Sequence, residues 1–320
     1  MKRIYLPVSL IITLFLLFAC GGGSGGGDDP TPVYEDISYT GLKTPAVITT
    51  GNADELAAGI FNTDAGVDTG IVGVVIDEST SDIHLPLYTT LSRTLTDMVK
   101  RIEFNSVLSG VIVIQEETQQ CESGTLYMYI AIDNVTGEFD GYMSYNDCVR
   151  GDMYTDGMID FVGRIDPYNT NNIQMTMTFT HLTESYGAES YTYKGKIFTI
   201  ETASTYNQVI DYLVQNNVTD SVVMYADYRI NLTDMYSHVA MTIHGRYYHP
   251  NHGYIDIRTS DINNILFEYY QYWPSSGIVT AAGDNSSFMI DCEGQDINTY
   301  TLAVDADGDG VYETATINNW

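Results

Sequence analysis

The feature that most constrains this fold is a period-two alternation of apolar and polar residues, which begins near Gly110 and continues to the end of the chain. Between residues 174 and 179, for example, Met175, Met177 and Phe179 alternate with polar residues. Successive side chains of a strand point to opposite faces of its sheet, so this pattern predicts strands with one buried and one polar face. The predicted strands span residues 110–117, 125–133, 138–146, 153–165, 173–182, 190–202, 221–230, 237–249, 253–259, 265–270, 277–282, 286–292, 300–305 and 311–317.

Short turn sequences separate many of these strands, as at residues 134–137, 166–169 and 250–253. Parallel strands need a long crossover, so short connections predict antiparallel neighbours. A sheet of this many strands is expected to curl or split. We therefore predict a mainly β protein, built on a large, twisted, partly rolled antiparallel meander sheet. The sequence leaves open whether that sheet closes or encloses a cavity.

Two helices are predicted before the strands. Residues 52–61 begin with an asparagine suited to capping and continue with acidic residues and alanines. Residues 87–104 carry one apolar face of a 3.6-residue period, formed by Leu91, Leu95, Met98, Val99 and Ile102. We expect this amphipathic helix to pack on the apolar face of the sheet. A long loop with a short strand is expected over residues 63–84.

A short motif with a central glycine recurs around Gly157, Gly195 and Gly245, each followed closely by an apolar residue. Its spacing is irregular, which argues against a repeat architecture. Glycine inside a strand commonly marks a bulge or a bend. We therefore interpret the motif as recurring strand geometry in which glycine relieves local curvature.

Acidic residues greatly outnumber basic ones, with 42 Asp and Glu against 13 Lys and Arg. This balance argues against nucleic acid as a partner, because Lys and Arg supply the phosphate contacts that dominate such binding. It also disfavours direct docking on anionic lipid headgroups and is compatible with cation binding. The 26 tyrosines and the low charged fraction of 17% are typical of a folded chain.

The first twenty residues have the layout of an export signal. Lys2 and Arg3 precede an uncharged apolar stretch that ends at Ala19. This stretch is short for a membrane-spanning helix, which needs roughly 20 apolar residues, and it fits a secretory signal. Leu17-Phe18-Ala19-Cys20 resembles the lipobox of bacterial lipoproteins. The resemblance implies cleavage before Cys20, diacylglycerol on its thiol and an acyl chain such as palmitate on the new N-terminus.

The predicted organisation follows from this signal. Residues 1–19 are the signal peptide, and residues 20–45 are the lipidated cysteine and a flexible tether rich in Gly, Ser and Pro. Residues 46–320 form a single β-rich domain with a helical portion over residues 46–104. The residue after the cysteine is Gly21, where lipoproteins retained in the enterobacterial inner membrane carry Asp. The outer membrane is therefore favoured, on either its periplasmic or its cell-surface face. The mature domain resembles envelope lipoproteins encoded in Gram-negative genomes.

Three cysteines remain once Cys20 is lipidated. Cys121 and Cys148 flank the predicted hairpin of residues 125–146, so its antiparallel strands would bring them together. We predict a disulfide between them in an oxidising compartment, with Cys292 as a buried free thiol. A bond from Cys292 to either of the other two stays open from the spacing alone.

The most specific local motif is the run of residues 305–313. It resembles the start of an EF-hand calcium loop, in which alternate oxygen ligands converge on one cation and glycine allows the sharp turn. The resemblance implies ligands from the side chains of Asp305, Asp307 and Asp309 and from the carbonyl of Val311. Glu313 would replace the glutamate of the longer loop, whose position holds Thr316 here. Strands flank the loop, so we predict a structural calcium site in a β-hairpin. The alternative is an acidic turn without metal.

Two further groups of residues are weaker candidates. His244, His249 and His252, with Asp256, would suit a transition metal, or they are polar residues of a strand and its turn. An aromatic cluster offers contact area for a sugar or a protein, or it packs within the sheet. Its members are Tyr269, Tyr270, Tyr272 and Trp273.

Catalytic signatures are missing from the sequence. It contains no G-x-S-x-G elbow, no H-E-x-x-H motif and no phosphate-binding loop. We expect a non-catalytic, lipid-anchored protein of the cell envelope with a binding or structural role and with calcium as a structural ion. Its partners would be the membrane, through the anchor, and an envelope protein, a polysaccharide or an apolar ligand. The alternatives are a carrier or chaperone for a lipid or other apolar ligand in a half-barrel cavity, and an envelope hydrolase.

Overall fold

The computed structural model describes residues 36–61, 112–268, 273–294, 296 and 298–319. The predicted signal peptide, Cys20, the loop over residues 63–84 and the helix over residues 87–104 lie outside the described residues. Within them, one helix, α1 (Ala53–Phe61), precedes the strands. The strands are β1 (Ile112–Gln120), β2 (Ser123–Asp133), β3 (Glu138–Arg150), β4 (Met153–Asp166), β5 (Asn169–Tyr186), β6 (Glu189–Glu201), β7 (Thr205–Asn216), β8 (Ser221–Met235), β9 (His238–His249), β10 (Gly253–Thr259), β11 (Ile265–Glu268), β12 (Ile278–Ala282), β13 (Ser287–Asp291), β14 (Thr299–Asp305) and β15 (Thr314–Asn319).

All fifteen strands belong to one antiparallel sheet, which confirms the predicted fold class. The strands follow one another in chain order from β1 to β10 and then from β12 to β15. β11 pairs with the first half of β9, while β10 pairs with its second half. β1 and β15 stand at the two ends of this order, and the sheet is not closed.

One face of the sheet forms the core. Met175, Met177 and Phe179 of β5 are buried, as their alternation predicts, while the two threonines between them are only partly buried. A single buried apolar cluster extends from β2 to β14 and includes Leu56 of α1. The hydrophobic effect on this face therefore holds the helix and the strands together.

The strand β7 was not predicted from the sequence. Its core-facing positions include the polar Gln208, which is buried. Val209 and Leu213 stand on the other face, where they are partly buried. Apolar residues therefore occur on both faces of β7, and the period-two contrast that indicates the other strands is lost.

The motif glycines mark irregularities of the sheet. Gly157, Gly195 and Gly245 each stand beside a register shift in the preceding strand. At all three the backbone has a positive φ, between 120° and 142°. A side chain at Gly195 would meet the carbonyl oxygen of Asp211 at 2.3 Å. The motif is thus a bulge signature, because a bulge bends a strand and brings neighbouring backbones close.

Chain packing begins before the predicted domain boundary at residue 46. Ile37 and Tyr39 are buried in a small cluster with Val222. The Tyr39 hydroxyl lies 3.0 Å from the carbonyl oxygen of His249, and Pro45 forms a bridge with Tyr254. The end of the predicted tether is therefore docked on the sheet, and the described residues from Ile37 onward belong to one compact unit.

Cys121 and Cys148 form a disulfide, with their Cα atoms 5.4 Å apart. The bond joins the β1–β2 connection, just before β2, to the last part of β3, as the sequence predicts for the outer ends of this hairpin. Cys292 is a free, buried cysteine, and burial raises the pKa of its thiol. The core-facing thiol therefore stays protonated at neutral pH.

Candidate metal centre

The connection between β14 and β15 forms the acidic loop, defined here as residues 305–313. Asp305 ends β14 and is only 3% exposed. Its Oδ1 accepts a hydrogen bond from the Gly308 N–H at 2.7 Å, and its Oδ2 accepts one from the Gly310 N–H at 3.0 Å. Both glycines have a positive φ. The buried carboxylate therefore organises the loop around itself.

The other three carboxylates of the acidic loop also accept backbone hydrogen bonds. Asp307 Oδ1 accepts from the Asp309 N–H at 3.2 Å, and Asp309 Oδ1 accepts from the Val311 N–H at 2.7 Å. Glu313 Oε2 accepts from the Ala306 N–H at 3.0 Å. These bonds fold the loop so that Asp305, Asp307, Asp309 and Glu313 each offer a carboxylate oxygen within 4.8 Å of the others.

This convergence is electrostatically costly without a cation. Two like charges about 4 Å apart repel by about 1 kcal/mol in bulk water, and by more where the surroundings are less polar. Calcium takes six to eight oxygen ligands and favours carboxylates, backbone carbonyls and water. The four predicted acidic ligands therefore fit a hard divalent cation. Val311 lies in the same loop, where its N–H helps to hold Asp309.

The acidic loop lies against the turn between β12 and β13. A side chain at Gly308 would come within 2.5 Å of the Asn285 carbonyl oxygen, so only glycine allows this approach. The same turn is bound to the first described segment, because the Ile48 N–H donates to Ser286 Oγ at 2.8 Å. Because the loop extends to residue 313, the last strand begins at Thr314 and not at residue 311 as predicted.

A second group of ligand atoms comes from Glu55 of α1, His249 at the end of β9 and His252 in the β9–β10 turn. The Glu55 carboxylate bridges the two rings, with Oε1 3.0 Å from His249 Nε2 and Oε2 2.7 Å from His252 Nε2. The two rings stack with their centroids 4.5 Å apart. The hydrogen bond from His252 lowers the pKa of the Glu55 carboxyl, and burial lowers the pKa of His249.

The sequence-based histidine hypothesis is only partly realised. His249 and His252 come together, whereas His244 is not part of the group. Asp256 instead binds Arg246 on the neighbouring strand, at 2.7 Å. Glu55 was missed because it lies 197 residues from His252 along the chain. An acidic residue in the first turn of a helix is expected without any ligand role, so no sequence signal marked Glu55 as a ligand.

A cavity of about 190 Å³ lies beside this second group. Glu55, Gly59 and His249 contribute to its wall together with tyrosines of β6, β8 and β9, namely Tyr191, Tyr225 and Tyr247. The Tyr225 hydroxyl donates to the Gly59 carbonyl oxygen at 2.9 Å, which fixes α1 against the sheet.

Of the predicted aromatic cluster, Trp273 alone lies within the described residues. Tyr269, Tyr270 and Tyr272 lie outside the described residues, and Trp273 is partly buried. Among the helices described, none is long and apolar enough to cross a membrane.

Comparison of the chain with protein-family models, with curated proteins and with solved structures finds no match.

Proposed function

We propose that this chain is a lipid-anchored, non-catalytic protein of the cell envelope, whose β-sheet domain is stabilised by a calcium ion bound in the acidic loop. The observation that carries the calcium proposal is the convergence of four carboxylates within 4.8 Å. A loop that only reverses the chain needs no such arrangement, since two-residue Asp-Gly turns suffice for hairpins. A bound cation would attract all four carboxylates and so offset their mutual repulsion.

The site supports a structural role more than a signalling role. Asp305 is buried at the end of a strand, and the acidic loop is held by backbone hydrogen bonds on all four carboxylates. A pre-folded loop changes little on binding, whereas a sensor needs two different states. Weak extracellular-type calcium sites bind with dissociation constants of about 10⁻⁴ to 10⁻³ M, which is the range expected here.

Calcium titration calorimetry on the full chain in detergent micelles tests this proposal. We expect one calcium ion per chain, with binding lost or weakened at least tenfold in Asp307→Asn and in Asp309→Asn. Asp166→Asn is the matched control, because Asp166 also accepts a backbone N–H at a turn but lies outside the acidic loop. Equal calcium affinity in the two loop variants and the unmodified chain would contradict the proposal.

The anchor part of the proposal rests on Cys20 and its lipobox context. Acyl chains on this residue would each contribute about 0.8 kcal/mol per buried CH₂ to membrane binding. We expect Cys20→Ser to move the exported protein from the membrane fraction to the soluble fraction, while Cys292→Ser leaves it membrane-bound. Membrane retention of Cys20→Ser after a high-salt wash would contradict lipid anchoring.

A further inference from the structure

We propose that Glu55, His249 and His252 bind one Zn²⁺ ion through three protein ligands, with a fourth position open towards the neighbouring cavity. Two histidines and one glutamate form one of the donor sets that hold zinc in proteins where a coordination position stays free. The three donor atoms already lie within 4.8 Å of one another. This site is independent of the calcium proposal.

The observed spacing requires little rearrangement for an ion to enter. Zinc binds imidazole nitrogen and carboxylate oxygen at about 2.0–2.2 Å, so tetrahedral ligand atoms stand about 3.3 Å apart. Glu55 lies 3.0 Å from His249 Nε2 and 2.7 Å from His252 Nε2. The Glu55 carboxylate would therefore move by about 0.3–0.6 Å, and the stacked imidazole rings would turn their donor nitrogens towards the ion.

Contacts outside the group hold the ligands in place. The Tyr39 hydroxyl donates to the His249 carbonyl oxygen at 3.0 Å, and His249 itself is buried. Leu56, next to Glu55, is fully buried in the core. Preorganised ligands favour metal binding, because less conformational entropy is lost when the ion enters.

Protons compete with the ion for these ligands. In the metal-free protein His249 Nδ1 accepts the Asn251 N–H at 3.3 Å, so Nε2 carries the ring proton and can donate to Glu55. Coordination through Nε2 would place the proton on Nδ1 and give up the Asn251 bond, which is the longest contact in the group. Zinc binding should weaken as the pH falls, because protons compete with the ion for the imidazole nitrogens and the carboxylate.

The cavity is the second observation that favours an ion with an open position. Glu55 and His249 both line its wall, so the cavity reaches two of the three proposed ligands. Three-ligand zinc sites keep the fourth position for water or for a small ligand. A cavity of about 190 Å³ has room for a few water molecules or a small anion.

Cobalt substitution of the full chain tests the proposal, because tetrahedral Co²⁺ absorbs visible light intensely and reports its own ligands. The chain is stripped with a chelator and titrated with Co²⁺ in excess Ca²⁺, and Zn²⁺ is then added. We expect one Co²⁺ per chain with an intense visible band that Zn²⁺ abolishes. Glu55→Gln and His252→Gln should each weaken Zn²⁺ binding by about 10- to 100-fold or more, since even the loss of an outer-shell partner costs that much.

Two controls separate this site from the rest of the molecule. His238→Gln, at the opposite end of β9, should keep the band, and so should the Asp307→Asn, Asp309→Asn double variant of the acidic loop. The proposal would be overturned if no visible band formed or if Ca²⁺ displaced Co²⁺. It would also be overturned if Glu55→Gln and His252→Gln bound Zn²⁺ as tightly as the unmodified chain. Glu55 is exposed and His252 is partly exposed, so these variants test the ligands without opening the core.

Discussion

Glu184 shows how one buried carboxyl group changes the behaviour of this sheet. It lies on the core face of β5, where it is 3% exposed, and its Oε1 has no hydrogen-bond partner. Burial raises the pKa of this carboxyl to about 8, because the apolar surroundings disfavour its charged form. The carboxyl is therefore mostly protonated in the folded protein at neutral pH.

Stability should depend on pH through this residue. The pKa of the Glu184 carboxyl is about 8 in the folded chain, against an ordinary value of 4.5. Between pH 4.5 and pH 8 the folded state therefore holds a proton that the unfolded state has lost. The contribution of Glu184 to the free energy of unfolding is fully present below pH 4.5. It falls by about 1.4 kcal/mol per pH unit from there up to pH 8. Glu184→Gln should remove this slope and unfold at higher urea concentration than the unmodified chain at pH 8.

Urea unfolding at several values between pH 5 and pH 9 measures the difference between the two chains. Glu138→Gln, on the exposed end of β3, is the control and should keep the pH dependence of the unmodified chain. Parallel pH profiles for Glu184→Gln and the unmodified chain would show that Glu184 does not titrate as its burial implies.

At the scale of elements, the bulges require glycine at particular positions of the strands. Gly195 has φ 141°, and an added Cβ would overlap the Asp211 carbonyl oxygen. Gly195→Ala should therefore lower the free energy of unfolding through backbone strain of about 1–3 kcal/mol and crowding of about 1–3 kcal/mol more. Gly187→Ala is the control, since Gly187 also has a positive φ but has open space around it. Chemical denaturation of both variants should show the larger loss for Gly195→Ala, and equal losses would contradict the close approach.

An element could be predicted from the sequence where the residues that define it lie close together along the chain. Strands such as β5 were predicted because their alternation lies within a few residues, and the acidic loop was predicted because all its carboxylates lie within residues 305–313. β7 was missed because a buried Gln208 replaces an apolar residue on its core face. The Glu55 and His252 pair could not be predicted, because only the packing of α1 on β9 brings these distant residues together.

At the scale of the whole molecule, the first and last described segments are tied together. Asn318 Nδ2 donates to Asp54 Oδ1 at 2.7 Å, which joins β15 to α1. The Asp284 N–H donates to the Ala46 carbonyl oxygen at 2.7 Å, which joins the β12–β13 turn to the N-terminal segment. The acidic loop packs against the β12–β13 turn at Asn285 and continues into β15. An ion bound there should therefore stabilise the packing of the first and last described segments, and not only one hairpin.

The melting temperature of the full chain with and without calcium tests the central claim most directly. A ligand at 100 times its dissociation constant stabilises the folded state by about 2.7 kcal/mol, so calcium should raise the melting temperature by several degrees. A chelator should reverse the rise, and the Asp307→Asn, Asp309→Asn double variant should not show it. An unchanged melting temperature at about 100 times the expected dissociation constant, on the order of 10 mM calcium or more, would contradict the account and leave the acidic loop as a turn without a metal.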